Sequence, residues 1–355
     1  MAYTTINKSS DYFNTVLYTG DGSTSRSITG VGFQPDLLWV KSRNAIYYHG
    51  LWDAVRTNKA AIYSNANNAE DTTTGGTLGS FDSDGFTTQN VSGGFVNNSG
   101  TTYASWNWLA GTAVSGSTTG SGTAKTYTGS VNTTSGFSII KFIGNGTAGH
   151  TIPHHLGAVP KMIIVKVLNA VADPLVYHYK NTTEPQTEFL RLNSTNATQD
   201  EAAIWNDTAP TSSVFSLGTE ASVNENGKNL IAYCFAEKTG YSKIGSYTGN
   251  GSADGTFVYT GMKPAWVLIK QTNSGNIWEL FDNKRSPFNL VDDYLSPNAS
   301  DAETTGSSQS LDFLSNGFKP RANASGLNGS GSSYIYMAFA EAPLVGSNNV
   351  PCTAR

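Results

Sequence analysis

The apolar positions of this chain fall into short unbroken runs rather than a helical stripe. Leu37-Leu38-Trp39-Val40, Met162-Ile163-Ile164-Val165 and Trp266-Val267-Leu268-Ile269 are of strand length. Continuous apolar runs of that length predict strands covered on both faces. All three stand in one frame, Gly-x-x-Pro-x5-Lys-x2-Asn, at residues 32–44, 157–169 and 261–273. Proline fixes φ and cannot donate to a ladder, so it suits the start of a strand, and asparagine suits the turn that ends it. The lysines between them (Lys41, Lys166, Lys270) are expected to lay their methylenes over apolar surface and keep their charge in water.

Around each frame the polar and apolar positions repeat in the same order. An apolar strand precedes it (Val16-Leu17-Tyr18, Lys141-Phe142-Ile143, Ser246-Tyr247-Thr248), followed by Gly20-Asp21-Gly22, Gly144-Asn145-Gly146 or Gly249-Asn250-Gly251. Such Gly-Asn/Asp-Gly stretches tolerate positive φ and predict tight hairpin turns. Each unit closes on an alternating aromatic strand: Tyr103–Trp108, Ile231–Phe235 and Tyr334–Phe339. After the frame, the first and third units stay parallel, with Asp53-x-x-Arg56 matching Asp282-x-x-Arg285 and Ala69-Glu70 matching Ala302-Glu303. The middle unit departs there and lacks the Asp-x-x-Arg pair.

This order predicts an all-β protein of three tandem, jelly-roll-like β-sandwich domains of about 115 residues, each with its own core. The expected boundaries are an N-terminal arm at 1–12, a first sandwich at 13–110, a flexible Gly/Ser/Thr linker at 111–124, a second sandwich at 125–240, and a third at 241–355 with a short C-terminal tail. Composition supports a folded chain: charged residues are only 14%, but 7 Trp, 17 Tyr and 16 Phe exceed what a disordered chain carries. Net charge is −4 with no basic cluster, which speaks against nucleic acid or an anionic membrane as a partner. No secretory leader or apolar run of membrane length is present, so neither export by that route nor membrane insertion is expected. Cys234 reads as a small core residue.

Candidate chemistry is sparse. Asp53, Asp282 with Glu279, and Asp292-Asp293 are acidic spots, but nothing fixes two carboxylates across a scissile bond, and Asp53 with Arg56 and Asp282 with Arg285 read as local ion pairs across a turn. His150, His154 and His155 have no carboxylate or cysteine at ligand spacing and read as turn residues, and Asp82-Ser83-Asp84-Gly85 reads as a β-turn; no metal or cofactor is expected. Among binding functions, sugar recognition has the most physical appeal: Trp52 and Trp278 beside Asp53, Arg56, Asp282 and Arg285 would stack on a ring and bond its hydroxyls, unless these tryptophans are buried.

Several stretches together resemble a tandem-repeat family of uncharacterised structural (tail and fibre-type) proteins of marine tailed bacteriophages. They are Ser10-Asp11-Tyr12-Phe13 with Tyr18-Thr19-Gly20, Gly30-Val31-Gly32-Phe33-Gln34-Pro35-Asp36 into Trp39-Val40-Lys41, and His150-Thr151-Ile152-Pro153-His154. Pro160 to Lys166, Phe235-Ala236-Glu237-Lys238 and Phe313-Leu314-Ser315-Asn316-Gly317-Phe318 complete the set. The resemblance implies a non-enzymatic virion protein, made in the host cytoplasm, released by lysis and displayed on the particle surface. Its expected partners are other virion proteins and host cell-surface glycan, and a homo-oligomer is expected at a symmetric attachment point. Because the first unit begins almost at once, a short tail fibre, tail-tip subunit or capsid decoration protein is expected rather than a complete long fibre. A polysaccharide depolymerase is the remaining alternative.

Overall fold

A computed structural model describes residues 4–72, 78–89 and 95–343. Among them the regular structure is almost all antiparallel strand, with a few short helical turns, so the all-β expectation holds. Each frame strand lies inside a large sheet. In the first unit the order is Phe13–Thr19, Thr102–Trp108, Leu37–Ser42, Gly50–Asp53, Ile62–Tyr63, and a small sheet of Arg26–Thr29, Gly85–Thr88 and Leu78–Asp82 covers one face. The third unit repeats it with Ser242–Thr248, Ser333–Pro343, Met262–Gln271, Trp278–Asp282, Asp293–Leu295 and Thr304–Thr305, backed by Val258–Tyr259, Gly317–Pro320 and Leu311–Leu314. In the second unit Phe137–Ile143, Asn229–Phe235, Met162–Val167, Leu175–His178, Glu188–Arg191 and Gln199–Asp200 follow the same order, and Thr119–Gly120, His150–Pro153 and Val214–Leu217 form the small sheet. Register confirms the correspondence: Leu37 pairs with Trp108, Met162 with Phe235 and Trp266 with Phe339.

Strand alternation explains why the frame runs are apolar throughout. Leu38 and Val40 face the small sheet with Trp52, Phe86 and Tyr103, while Leu37 and Trp39 face the opposite way. Ile163 and Val165, like Val267 and Ile269, serve their own units; Met162, Ile164, Trp266 and Leu268 join Leu37 and Trp39 in one central cluster. The three large sheets thus converge on a common core, and each has its back covered by its own small sheet. At the centre, Trp108, Phe235 and Phe339 occupy corresponding positions and form a triangle of rings with centroids 6.4, 6.2 and 5.8 Å apart. Aromatic pairs at such separations add about 0.5–1.5 kcal/mol each beyond their buried area.

The structure departs from the sequence reading in four places. The units do not stand as a string: each has its own core between its two sheets, but a further central cluster takes residues from all three. Residues 111–124 are not an open linker: Thr112–Ser117 pairs with Thr126–Asn132, extending the second large sheet to eight strands, and Thr119–Gly120 pairs with His150–Pro153. Alternating Thr, Ala, Val and Ser can serve an exposed edge strand as readily as a coil, and the neighbouring hairpin decides. The N-terminal arm is anchored, since Ile6 is 1% exposed within the central cluster. The Gly-x-Gly segments are not hairpins either; they carry the chain from the large sheet to the small one. Each is held by an asparagine from a later loop or helical turn, Asn97 Oδ1 accepting from Asp21 N (3.2 Å), Asn224 Oδ1 from Asn145 N (3.0 Å) and Asn328 Oδ1 from Asn250 N (3.0 Å). A Cβ on Gly20 would strike the carbonyl of Asn98 in that close approach.

Candidate functional site

The frame lysines and the Asp-x-x-Arg pairs singled out in the sequence lie at the seams between units, and each unit grips the next in a cycle. The frame lysines make the first grip. Lys41 donates to Ser42 O (3.0 Å) and Ala45 O (3.2 Å) of its own turn and to Ser300 O (3.1 Å) of the third unit. Lys166 donates to Val167 O and Ala172 O (3.0 and 2.8 Å) and to Asn67 O (3.3 Å) of the first unit. Lys270 donates to Asn276 O (2.6 Å) and to Thr195 O (3.1 Å) of the second. The expectation of solvated lysine heads is therefore overturned: these residues are at most 1% exposed, and their N–H groups are taken up by carbonyls on both sides of each seam. Burial pushes all three ammonium groups down to about 8, leaving them charged at neutral pH. Backbone bonds follow the same cycle, Glu70 N to Leu168 O (2.7 Å), Thr198 N to Thr272 O (2.9 Å) and Glu303 N to Arg43 O (2.7 Å).

The Asp-x-x-Arg pairs form the second grip. Asp53 Oδ2 takes the Arg56 Nε–H at 2.5 Å, Arg56 reaches Glu70 at 3.2 Å, and Tyr233 of the second unit donates its hydroxyl to Asp53 at 2.8 Å. In the third unit Asp282 pairs with Arg285 Nε (2.6 Å), Arg285 with Glu303 (3.0 Å), and Trp106 of the first unit donates to Asp282 (3.0 Å). The local ion pairs expected from sequence are present, but a glycan role for Trp52, Asp53, Arg56, Trp278, Asp282 and Arg285 is not supported. Trp52, Asp53 and Asp282 are 0% exposed, Trp278 1%, Arg285 5% and Arg56 8%, so no ring could stack on these tryptophans or reach the charges. The same enclosure removes Asp53 and Asp282 as groups that could meet a glycosidic bond.

The middle unit solves the same problem without charge. His178 pairs with Met162 in the ladder, as Asp53 pairs with Leu37 and Asp282 with Trp266. Tyr233 and Trp106 correspond to Met337 in the third unit, opposite Leu268. Methionine offers no N–H or O–H donor, so a carboxylate at position 178 would face it unpaired. His178 instead lies with Nε2 3.2 Å from Tyr336 O, while its Nδ1 accepts from Lys180 N (3.2 Å). Where the other units have an Arg–Glu pair, Thr198 donates to Asn181 Oδ1 at 2.6 Å. The sequence showed the absence of Asp-x-x-Arg and the Glu70/Glu303 parallel. It did not disclose Tyr233, Trp106 or Tyr336 as partners, because each belongs to a different unit.

Burial lowers His178 to about 4, and the N–H directed at its Nδ1 opposes a second ring proton. Between that value and the ordinary 6.5 the unfolded chain binds the proton and the folded one does not, so stability falls as pH drops through this window. The loss expected from His178 is on the order of 2–3 kcal/mol. Urea unfolding at pH 4.5 and 7 checks it: His178→Gln should shrink the wild-type difference, and an unchanged difference would assign the acid sensitivity to other groups. His154, also lowered by burial to about 4, contributes with the same sign. The remaining candidate histidines have structural partners, His150 lying 2.8 Å from Asn224 Oδ1 and 2.7 Å from Thr118 Oγ1, and His155 2.8 Å from the Tyr127 hydroxyl.

What the surface offers lies away from these residues. A cleft of about 550 Å³ at the first seam is lined by Asp36, Val55, Val114, Ser115, Thr128 and Ser130 among others; Asp36, pushed up to about 6 by burial, accepts from Ala110 N at 2.8 Å. A smaller cavity of about 320 Å³ lies where the second unit leads into the third, between Tyr259, Thr239, Thr260 and the ion pair of Lys243 with Glu237 (3.2 Å). Tyr259 is 60% exposed, in contrast to the buried tryptophans. Comparison with curated proteins finds no match. The family described as Domain of unknown function (DUF7483) matches residues 8–343, which takes in all three units, and the chain belongs to that family.

Proposed function

We propose that the chain is a non-enzymatic bacteriophage virion protein, displayed on the particle surface as a tail-fibre or tail-tip component that attaches to host glycan. The observation that carries this reading is the cyclic interlock of three sandwiches, in which the lysines, the Asp-x-x-Arg pairs and His178 all serve the seams. A body closed in this way is suited to a static load-bearing role, and its conspicuous charged residues are committed to holding it together. The resemblance of its sequence to phage structural proteins supports the same reading. The cavity at Tyr259 is the place for a sugar ring, since it joins an exposed aromatic side chain to a carboxylate, an ammonium and hydroxyls. Immunogold labelling of purified virions with antibody to the recombinant chain is the test. Label at the tail is the expected result, and the recombinant protein should then adsorb to host cells, with Tyr259→Ala weakening adsorption at least tenfold.

A second reading, a capsid decoration protein that stabilises the shell, is favoured by the threefold correspondence of the units. One such chain could seat on a threefold position of a lattice with each unit meeting an equivalent neighbour. Label over the head, with particles lacking the protein losing heat resistance while adsorbing normally, would establish it in place of the first.

A further inference from the structure

Glu279, one of the acids singled out in the sequence, takes no part in the seams. It lies in the strand Trp278–Asp282, opposite Ile269, and is 0% exposed, with neither carboxylate oxygen hydrogen-bonded. Buried acceptors are almost always paired, and an uncompensated carboxyl in an apolar interior is costly, so the position calls for a partner. Two side-chain amides are close by. A Cβ built on Gly326, in the helical turn Ser325–Asn328, would meet Glu279 Oε1, with Gln309 Nε2 at 3.2 Å and Asn276 Oδ1 at 3.3 Å from the same point. Asn276 spends its Nδ2 on Gln271 Oε1 (2.8 Å) and Ser325 Oγ (3.2 Å), which leaves Oδ1 on the side of Glu279. Gln309 Oε1 is buried and unpartnered, and a half-turn of its amide exchanges oxygen for nitrogen. The corresponding ladder positions of the other units hold Gly50, opposite Val40, and Leu175, opposite Val165, so the feature belongs to the third unit alone.

We propose that Glu279, Asn276 and Gln309 bind a calcium ion that ties the strand Trp278–Asp282 to the helical turn Ser325–Asn328. One carboxylate with two amide carbonyls is an all-oxygen set suited to a hard cation and without the nitrogen or sulfur that zinc prefers. Two of the three come from partly exposed loops, a flexible arrangement that calcium accepts and magnesium, with its strict octahedron, does not.

The test is a thermal melt of the full chain after chelator treatment, in calcium, magnesium or sodium chloride at matched ionic strength. Calcium should raise Tm by several degrees. Glu279→Gln should melt at or above the calcium-free wild type, showing that it folds, and should lose the calcium response. The double variant Asn276→Ala, Gln309→Ala should fold and bind calcium at least tenfold more weakly by calorimetry. A wild-type Tm indifferent to calcium, an equal rise in sodium or magnesium, or a calcium response that survives in Glu279→Gln would overturn the proposal.

Discussion

Replacing Arg285 by Met is expected to destabilise the protein by about 3–5 kcal/mol, the range for removing one partner of a buried ion pair. Arg285 is held on three sides, by Asp282, by Glu303 and by the carbonyl of Leu280 at 2.8 Å. Without it, Asp282 keeps the Trp106 N–H at 3.0 Å but loses its countercharge at a position with no solvent access. Glu303 retains Arg43, whose Nη2 lies 2.6 Å away, so the damage centres on Asp282. The consequence should concentrate at the seam between the third and first units, the two that do not follow one another in the chain. Urea unfolding followed by tryptophan fluorescence measures it. Adding Asp282→Asn should recover part of the loss, because an amide does not need the countercharge. A loss below about 1 kcal/mol would mean that the triad behaves as a solvent-screened surface pair, contrary to its burial.

Lys41→Met is expected to cost about 2–4 kcal/mol. Methionine preserves much of the apolar stem, but the oxygens of Ser42 and Ser300 lose this donor at a largely enclosed site, while Ala45 O keeps the Ser42 hydroxyl at 2.7 Å, and an unpaired buried acceptor is costly. The pH dependence gives a second readout. From about 8, where the folded lysine begins to lose its proton, to its ordinary 10.5, the unfolded chain binds more protons than the folded one, so these lysines make stability rise with pH. Buried tyrosines such as Tyr233 and Tyr241, raised above 10 by burial, reverse the trend at higher pH, because the unfolded chain then releases protons that the fold retains. Lys41→Met should flatten the rise between pH 8 and 10. An unchanged slope together with unchanged stability would show that the ammonium group is not needed at this seam.

The frame lysines show where legibility ends. Their position after an apolar run was plain, and a lysine at a strand end is ordinarily solvated. The oxygens that enclose them come from 259, 99 and 75 residues away, and no local pattern announces a distant carbonyl. Trp52 and Trp278 make the related point: an aromatic beside Asp and Arg suits sugar recognition and an ion-paired seam equally well, and accessibility alone separates the two. Where the reading depended on neighbours in sequence it did better. The Asp53–Arg56 and Asp282–Arg285 pairs are only three residues apart, and the structure contains both. The linker reading of residues 111–124 failed because polar Gly/Ser/Thr composition describes an exposed edge strand as well as a coil.

By itself, the sequence determined the frame strands and the aromatic closing strands, their threefold order, and the burial of the frame runs on both faces, because side-chain alternation is a local property. Only the tertiary structure decided what covers those faces. One side of each large sheet meets its own small sheet, and the other meets two further units across Trp108, Phe235 and Phe339. An apolar position records that water must be excluded from it but not which surface excludes it, and that choice rests on contacts between residues far apart in the chain.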